Sequence, residues 1–224
     1  KTAEFAHDQH QLMLVLDRAV AVSNNLGTWM IPASCGVWIP AGVRHGVEPK
    51  PAARTPILYL RRARDGRAKC AALQISPLLR AIVDYIYGLQ SLSDDEPTAK
   101  RLVAVVIDQI DDQRELPLFV PTLKSSLARR VVQAHASDPA DTPRIRDLAI
   151  DLAVSDRTIE RAFLADALMT VGEWRQRSRI SHAIALLAGG VDVKDVALEV
   201  GYATPSAFVA AFKKYVGVTP GRAR

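Results

Sequence analysis

The chain has 224 residues, of which 49% are hydrophobic and 24% charged, a balance that is ordinary for a globular protein with room for two modest domains. This composition excludes a largely disordered protein. The formal net charge is +5, and most of the positive excess lies from Pro121 onwards, so an anionic partner is favoured but not identified.

Cysteine usage and hydropathy indicate where the protein works. Cys35 and Cys70 have neither zinc-site spacing nor a disulfide pattern, which favours a reducing compartment. No apolar stretch reaches transmembrane length, and Lys1 does not begin a signal-like region. We therefore expect a cytoplasmic protein without membrane association. The sequence does not start with methionine, which leaves a preceding segment open.

Residues 11–60 have the pattern of β-structure with tight turns. Short runs of Val, Leu, Ile and Trp alternate there with Gly, Pro, Asn and Ser. Within this region, GVWIPAGVRH runs from Gly36 to His45. This segment is similar to the second motif of the cupin superfamily, and the resemblance implies a small β-barrel that presents His45 to its interior.

The first cupin motif, H-x-H-x3-E, falls on Phe5, His7 and Gln11, so one histidine has become Phe and the carboxylate an amide. His7 and Gln11 lie on one face of a strand, and we expect them to converge with His45 inside the barrel. His10 should face the opposite side. An amide oxygen is a poor ligand for borderline divalent metals, so a small organic effector is the favoured occupant. A divalent metal on His7 and His45 is the alternative.

Two amphipathic helices are predicted after the β-region, at residues 77–89 and 100–111, with a polar turn at 91–97. Such a pair either packs on its own domain or forms a dimer seam, and we favour dimerisation. Pro117 and Pro121 mark a linker. The predicted domains are a cupin-like sensor at residues 1–65, the helical pair at 66–116 and a helical domain at 117–224.

The last eighty residues contain one helix-turn-helix pattern twice. The small residues Ala149 and Ala197 allow the two helices of each copy to cross closely. The first copy has helical apolar spacing at Ile145, Leu148, Ala149 and Leu152, a turn at Ala153, Val154 and Ser155, and a second helix marked by Ile159 and Phe163. The second copy repeats it with Val193, Val196, Ala197 and Val200, the turn Gly201, Tyr202 and Ala203, and then Phe208 and Phe212.

The second helix of each copy is the predicted recognition helix. Ser155 is expected to cap the first, and Thr204 the second, with Pro205 in its first turn. If the aromatic residues face the core, the outward residues are Arg157, Thr158 and Arg161 in the first copy and Ser206, Val209 and Lys213 in the second. Arginines suit guanine edges or phosphates, hydroxyls suit either, and a valine suits a thymine methyl.

A continuous helix over Val171–Ala188 is predicted between the copies, ending at Gly189 and Gly190. At about 1.5 Å per residue it is roughly 27 Å long, close to one turn of B-DNA once the adjoining helices are added. It would place two recognition helices in successive major grooves. The pattern therefore predicts sequence-specific binding of double-stranded DNA.

The run GYATPSAFVAAFKKYVGVTPGR, residues 201–222, resembles the C-terminal signature of AraC/XylS-family transcription regulators, and the similarity extends over residues 123–222. The family usually ends with a Tyr-Arg-like pair, where this chain has Arg222-Ala223-Arg224. The resemblance implies an α+β fold class, in which an N-terminal cupin-like β-barrel, complete or truncated, precedes an all-α DNA-binding domain with two helix-turn-helix units joined by a long helix.

The resemblance also implies promoter DNA and a small-molecule effector as partners, with nucleoid association when DNA is bound. A homodimer and contact with RNA polymerase are further candidate partners. The alternative function is a cupin-fold metal-dependent enzyme with an attached DNA-targeting module, which Phe5 and Gln11 disfavour because a catalytic metal needs about three protein ligands. An architectural DNA binder without an effector is a third hypothesis.

Overall fold

The computed structural model describes residues 4–48, 53–61, 67–89, 96–137 and 143–223. An N-terminal β-structure is followed by a helical C-terminal part, as the fold class predicted. The strands are β1 (His10–Leu14), β2 (Val20–Asn24), β3 (Gly27–Ile31), β4 (Cys35–Ile39), β5 (Gly46–Glu48), β6 (Ile57–Leu60), β7 (Ala71–Gln74), β8 (Glu115–Leu116) and β9 (Phe119–Pro121). The helices are α1 (Pro77–Gly88), α2 (Pro97–Asp111), α3 (Ser126–Ser137), α4 (Ile145–Asp151), α5 (Asp156–Ala167), α6 (Val171–Ala188), α7 (Val193–Glu199) and α8 (Pro205–Val216), with a final 3₁₀ turn (Pro220–Arg222).

Two antiparallel sheets form the N-terminal part. One has the strand order β6-β1-β4-β7-β8 and the other β5-β2-β3-β9. Strand β1 shows the two-residue alternation of a strand that is buried on both faces. Met13 joins a core with Val22 and Ile31 of the other sheet, whereas Leu12 and Leu14 join a second core on the opposite face.

The helical pair packs on that opposite face. Leu79 and Val83 of α1 and Val106 of α2 are buried in the same cluster as Trp38. Burial removes the apolar stripe of each helix from water, so packing on the sheet accounts for the amphipathic pattern. The first helix matches its predicted position, and α2 begins earlier than predicted, at Pro97. The predicted turn at 91–97 falls largely outside the described residues.

Strand pairing continues beyond residue 65, where the sequence placed the end of the sensor domain. β7 pairs with β4, with Trp38 opposite Ala71, and β8 pairs with β7. β9 pairs with β3, with Trp29 opposite Phe119, so the first residues of the predicted DNA-binding segment belong to the sheet. These three strands have two to four residues. Such short strands show too little alternation to be recognised in sequence.

Helix α6 joins the two helix-turn-helix units. Its first part contributes Val171 and Trp174 to the core of α3, α4 and α5, the first unit. Its later part contributes residues such as Ile184 to the core of α7 and α8, the second unit. Thr170 caps α6 in a capping box with Glu173, which satisfies backbone donors at the helix start. The predicted continuous helix Val171–Ala188 is confirmed at both ends.

The sheets also contact the helical part directly. α6 lies against β3 and β9, and Arg177 donates a hydrogen bond of 3.3 Å to the carbonyl of Phe119. Arg114 donates one of 3.3 Å to the carbonyl of Lys214 at the end of α8. Gly217, the residue that caps α8, faces Gln74 so closely that a Cβ there would lie 2.5 Å from the amide oxygen. The β-structure is therefore in contact with both the spacer helix and the second unit.

Candidate nucleic-acid interface and sensor site

The two units end their first helix in the same way. After α4, Ala153 has a φ of 52°, and the N–H of Val154 donates to the carbonyl of Ala149 at 2.9 Å. After α7, Gly201 has a φ of 81°, and Tyr202 repeats that hydrogen bond with Ala197 at 2.9 Å. Both are Schellman ends, which satisfy the last carbonyls of a helix. The two copies of the sequence pattern therefore share the same backbone conformation at the end of their first helix.

Both recognition helices begin with the predicted caps. Ser155 Oγ accepts a hydrogen bond from the N–H of Thr158 at 3.1 Å, and Thr204 Oγ1 accepts one from Ala207 at 3.2 Å. The hydroxyls of Ser155 and Thr158 are also 2.8 Å apart. An uncapped helix start presents free N–H donors, so these side chains fix where each recognition helix begins.

The aromatic residues lie on the inner faces, as predicted. Phe163 is fully buried and its ring is 5.9 Å from that of Trp174. Phe208 and Phe212 are fully buried with ring centroids 5.5 Å apart. Trp174 therefore packs on the first unit.

The outer faces carry the proposed DNA-reading side chains. Val209 differs from the prediction, because it is half-buried and packs against the core of the second unit. It follows Phe208 directly, at the edge of the buried face. The exposed candidates are Ser155, Arg157, Thr158, Arg161, Thr204, Pro205, Ser206 and Lys213.

His135 was missed as an interacting residue. It is 2% exposed, and its ring lies 5.3 Å from that of Trp174. Burial, together with the nearby positive charges of Arg179 and Arg175, lowers the pKa of His135 to about 4. His182 has its Nε2 atom 3.4 Å from a carboxylate oxygen of Glu199. Neither contact has a sequence signal, because the partners lie on different helices.

The predicted sensor residues meet at one end of the β-structure. Phe5 and His45 form a backbone bridge, each N–H donating to the other's carbonyl at 3.0 Å. His7 and His45 have ring centroids 5.1 Å apart, and the His7 Nε2 atom is 2.6 Å from Gln11 Oε1. Gln11 and His45 are each 1% exposed. His10 faces away and stacks on Trp38 at 5.3 Å, as strand alternation required.

One nitrogen of this cluster has no partner. His45 Nδ1 donates to the carbonyl of Val43 at 3.0 Å, whereas its buried Nε2 makes no hydrogen bond. Burial, the largest cause, and the charge of His7 lower the pKa of His45, while the bond to Val43 opposes them. The neutral ring then presents an unprotonated Nε2, which is an acceptor.

A metal ion does not fit this cluster well. It offers two imidazoles and an amide, and the His7 nitrogen nearest the cluster is already hydrogen-bonded to Gln11. Within the described ranges, no group of three His, Cys, Asp or Glu residues is placed to hold a metal. A transition metal usually needs three or four such ligands. A hydrogen-bonding organic ligand matches these donors and acceptors better.

A cavity of about 1260 Å³ lies between the β-structure and the first unit. Its walls come from β3, β9, the segment before β7, the turn between α5 and α6, and Arg177 of α6. No sequence pattern indicates this cavity, because its walls are distant along the chain. Cys70 in the wall is a free thiol, and burial raises its pKa to about 11.

Among the helices of the described ranges, none is long and apolar enough to cross a bilayer.

The chain is similar to several known proteins. Residues 148–224 match the family described as a helix-turn-helix domain. The transcriptional regulator NimR of Escherichia coli is 30% identical over 217 residues, which are 96% of this chain and 80% of NimR. The regulator RipA of Corynebacterium glutamicum is 38% identical over 93 residues, or 42% of this chain and 28% of RipA. The solved structure of apo ToxT from Vibrio cholerae aligns over 99% of this chain and 92% of its own, with 15% identity and a TM-score of 0.41.

A helix-turn-helix unit that occurs twice, on either side of one continuous helix, defines a DNA-binding protein. The chain belongs to the AraC-type helix-turn-helix transcriptional regulators, and its function is DNA-binding regulation of transcription. The metal-dependent enzyme proposed as an alternative has no support among these relatives.

Proposed function

We propose that α5 and α8 enter successive major grooves on one face of promoter DNA, and that the β-structure controls this binding through a small effector. The proposed contact of α5 and α8 with DNA is supported by the geometry that the two helix-turn-helix units share. Each recognition helix has a buried aromatic inner face, a capped N-terminus and an exposed outer face, and α6 joins the two as one continuous helix.

The residue roles follow from side-chain chemistry. Arg157 and Arg161 are exposed on α5 and suit guanine edges or phosphates, and Lys213 is exposed near the end of α8 and suits a phosphate. The hydroxyls of Ser155 and Thr158 already bond each other, so we assign them to phosphate contact at the helix N-terminus. Thr204, Pro205 and Ser206 occupy the corresponding place on α8.

The sensor half of the proposal rests on His7, Gln11 and His45. The buried acceptor at His45 Nε2 lacks a donor, and a ligand hydroxyl or amide would supply one. We propose a small polar organic effector for this cluster, in preference to a divalent metal. Effector binding would change DNA affinity only if the effector binds the two conformational states with different affinity.

The wider setting is proposed from the regulator family. We propose action in the cytoplasm, on nucleoid DNA, with no catalytic activity of its own. We also propose that the protein forms a homodimer and that it contacts RNA polymerase. Leu78, Tyr85 and Val105, which are exposed apolar residues of α1 and α2, are the surface on which to test the dimer.

Fluorescence anisotropy tests the DNA-binding assignment. The full chain is titrated onto the duplex upstream of its own gene and onto a scrambled duplex, across a salt series. We expect tighter binding to the promoter by a factor of about a thousand or more at moderate salt. Arg161→Ala should weaken promoter binding, whereas Arg101→Ala, an exposed arginine on α2, is the matched control. Equally weak, salt-steep binding to both duplexes would contradict specific reading.

A further inference from the structure

The two recognition helices share a register but differ in their outer residues. Each begins after a hydroxyl cap, Ser155 or Thr204, and each buries a phenylalanine eight residues beyond its cap, Phe163 or Phe212. The second and sixth residues after the cap are exposed in both helices. They are Arg157 and Arg161 on α5, and Ser206 and Ala210 on α8. The two helices therefore present unlike chemistry at equivalent positions.

The outer face of α5 presents two unpaired arginines. Arg157 and Arg161 are four residues apart, so their side chains lie on the same stripe of the helix. Within the described ranges, neither guanidinium has an ion pair or a hydrogen bond. Two like charges at this spacing repel each other and destabilise a helix slightly. An electron-rich partner removes that cost, and the O6 and N7 acceptors of guanine match an arginine with two hydrogen bonds.

The outer face of α8 has no long side chain at these positions. Ala207 and Ala210 are exposed there and present only methyl groups, and Ser206 adds one hydroxyl. Val209 contributes less, because it packs against the core of the second unit. Short side chains let a helix lie close to the base edges, where an alanine methyl contacts the C5 methyl of thymine. The start of α8 is therefore suited to thymine and cannot form a bidentate contact with guanine.

The positive charge of α8 lies further along the helix. Lys213 and Lys214 are exposed in its last turn. The equivalent residues of α5 are Leu164 and Ala165, which are uncharged. The N-terminal residues of a recognition helix contact base edges, whereas its C-terminal end lies nearer the DNA backbone. This arrangement favours bases as partners of the arginines of α5 and phosphates as partners of the lysines of α8.

We propose that the two units read unlike segments of DNA, α5 recognising guanine through Arg157 and Arg161, and α8 recognising thymine through the methyl groups of Ala207 and Ala210. The preferred binding site is then asymmetric, with a guanine-containing segment and a thymine-containing one. Arg161 and Ala210 set this difference, because they occupy equivalent positions. The proposal rests on the proposed function, since it names the class of DNA sequence that the two recognition helices bind.

Selection from a random duplex pool with the full chain supplies the site for the test. The enriched duplexes should contain guanine in one contacted segment and thymine in the other. Replacing a contacted guanine by 7-deazaguanine removes only the N7 acceptor and should weaken binding about tenfold. Replacing a contacted thymine by deoxyuridine removes only the C5 methyl and should weaken binding about fourfold. Binding that is insensitive to deoxyuridine throughout the second segment would overturn the proposal.

Ala210→Gly removes the proposed methyl contact from the protein side. Binding should then become insensitive to deoxyuridine at one thymine of the second segment. Ala165→Gly is the matched control, because it makes the same change at an exposed position of α5 and costs the helix a similar amount. The control should leave the deoxyuridine effect unchanged. Equal sensitivity to deoxyuridine in the unaltered chain and both variants would overturn the role of Ala210.

Ala210→Arg tests the equivalence of the two positions. Ala210 is exposed and arginine is a good helix former, so this variant should fold. Selection with it should enrich guanine at the place where the unaltered chain enriches thymine. Arg161→Ala should lose the guanine preference of the first segment alone, which assigns each segment to its unit. A second segment that still prefers thymine in Ala210→Arg would overturn the assignment.

The same selection separates this proposal from the proposed function. Failure to enrich any sequence, with equal affinity for selected and scrambled duplexes, would contradict specific DNA reading itself. Enrichment of guanine in both segments, or of thymine in both, would leave the proposed function intact and overturn the asymmetric readout alone. The base analogues change the DNA and not the protein, so their result does not depend on the folding of a variant.

Discussion

Ala153 and Gly201 occupy the same position in the two helix-turn-helix units, and both have the left-handed backbone conformation, with φ of 52° and 81°. Each follows the first helix of its unit, and each precedes a residue whose N–H closes the Schellman hydrogen bond. Glycine adopts this conformation without cost, whereas alanine is strained by its Cβ. The first unit therefore contains a strain that the second avoids.

Exchanging these two residue types should have opposite effects on stability. Ala153→Gly should raise the free energy of unfolding by about 1 kcal/mol, and Gly201→Ala should lower it by a similar amount. Urea denaturation measures both. Ala165→Gly, at an exposed position inside α5, is the control and should destabilise by about 1 kcal/mol. Destabilisation by Ala153→Gly would mean that the shared backbone conformation is wrong.

The opposite faces of α5 should separate folding from DNA reading. Phe163 is fully buried, so Phe163→Ala should lower the free energy of unfolding by about 3–5 kcal/mol. Arg161 is exposed, so Arg161→Ala should leave unfolding unchanged and weaken promoter binding by about 1–3 kcal/mol. Denaturation and anisotropy on the same preparations provide the comparison. Equal loss of folding in the two variants would contradict the assignment of faces.

His135 should make the stability depend on pH. Its pKa is lowered from 6.5 to about 4 in the folded chain, chiefly by burial, so the unfolded chain takes up a proton first as the pH falls. The free energy of unfolding should therefore decrease between about pH 6.5 and 4, by on the order of 2 kcal/mol. Above pH 6.5 this contribution is fully present.

The contribution of His135 is obtained as the difference between two proteins, because burial lowers the pKa of His45 as well and His45 adds its own pH dependence. Urea midpoints of the unaltered chain and of His135→Gln are compared from pH 7 to 4.5, so that carboxylate titration, which both proteins share, cancels in the difference. The stability of His135→Gln should therefore depend less on pH than the stability of the unaltered chain. Parallel curves for the two proteins would show that His135 keeps its ordinary pKa.

Chelation tests the nature of the His7, Gln11 and His45 cluster. Since the His7 nitrogen is hydrogen-bonded to Gln11 and the ligand set is incomplete, EDTA should leave both the unfolding midpoint and promoter binding unchanged. Differential scanning fluorimetry with and without EDTA measures this. A stoichiometric metal in the purified protein, with a lower midpoint after chelation, would restore the metal alternative.

The helical half was predictable because its signals are local. Capping by Ser155 and Thr204, the glycine at 201 and the helical spacing of Phe208 and Phe212 all lie within a few residues of what they determine. Such short-range rules set the start, the end and the buried face of a helix. The exception is Val209, whose partial burial depends on how the edge of α8 packs.

The β-half was predictable only in part. The cupin-like segments predicted that His7, Gln11 and His45 converge, and in the structure these three residues lie together. Strands β7 to β9 were not found, because their pairing depends on residues far away in the chain. The cavity beside Leu168 has the same origin, since its walls come from both halves of the molecule. Long-range packing of this kind leaves no periodic pattern in the sequence.

We propose that α6 holds α5 and α8 one helical turn of DNA apart, and the spacing of the binding site tests this arrangement most directly. A duplex selected for tight binding is compared with one that has five extra base pairs between its two contacted segments, about half a turn. Because α6 is one continuous helix, the second segment then faces away from the second unit, and affinity should fall about a hundredfold or more. An insertion of this length that leaves the Kd unchanged would contradict simultaneous reading by the two units.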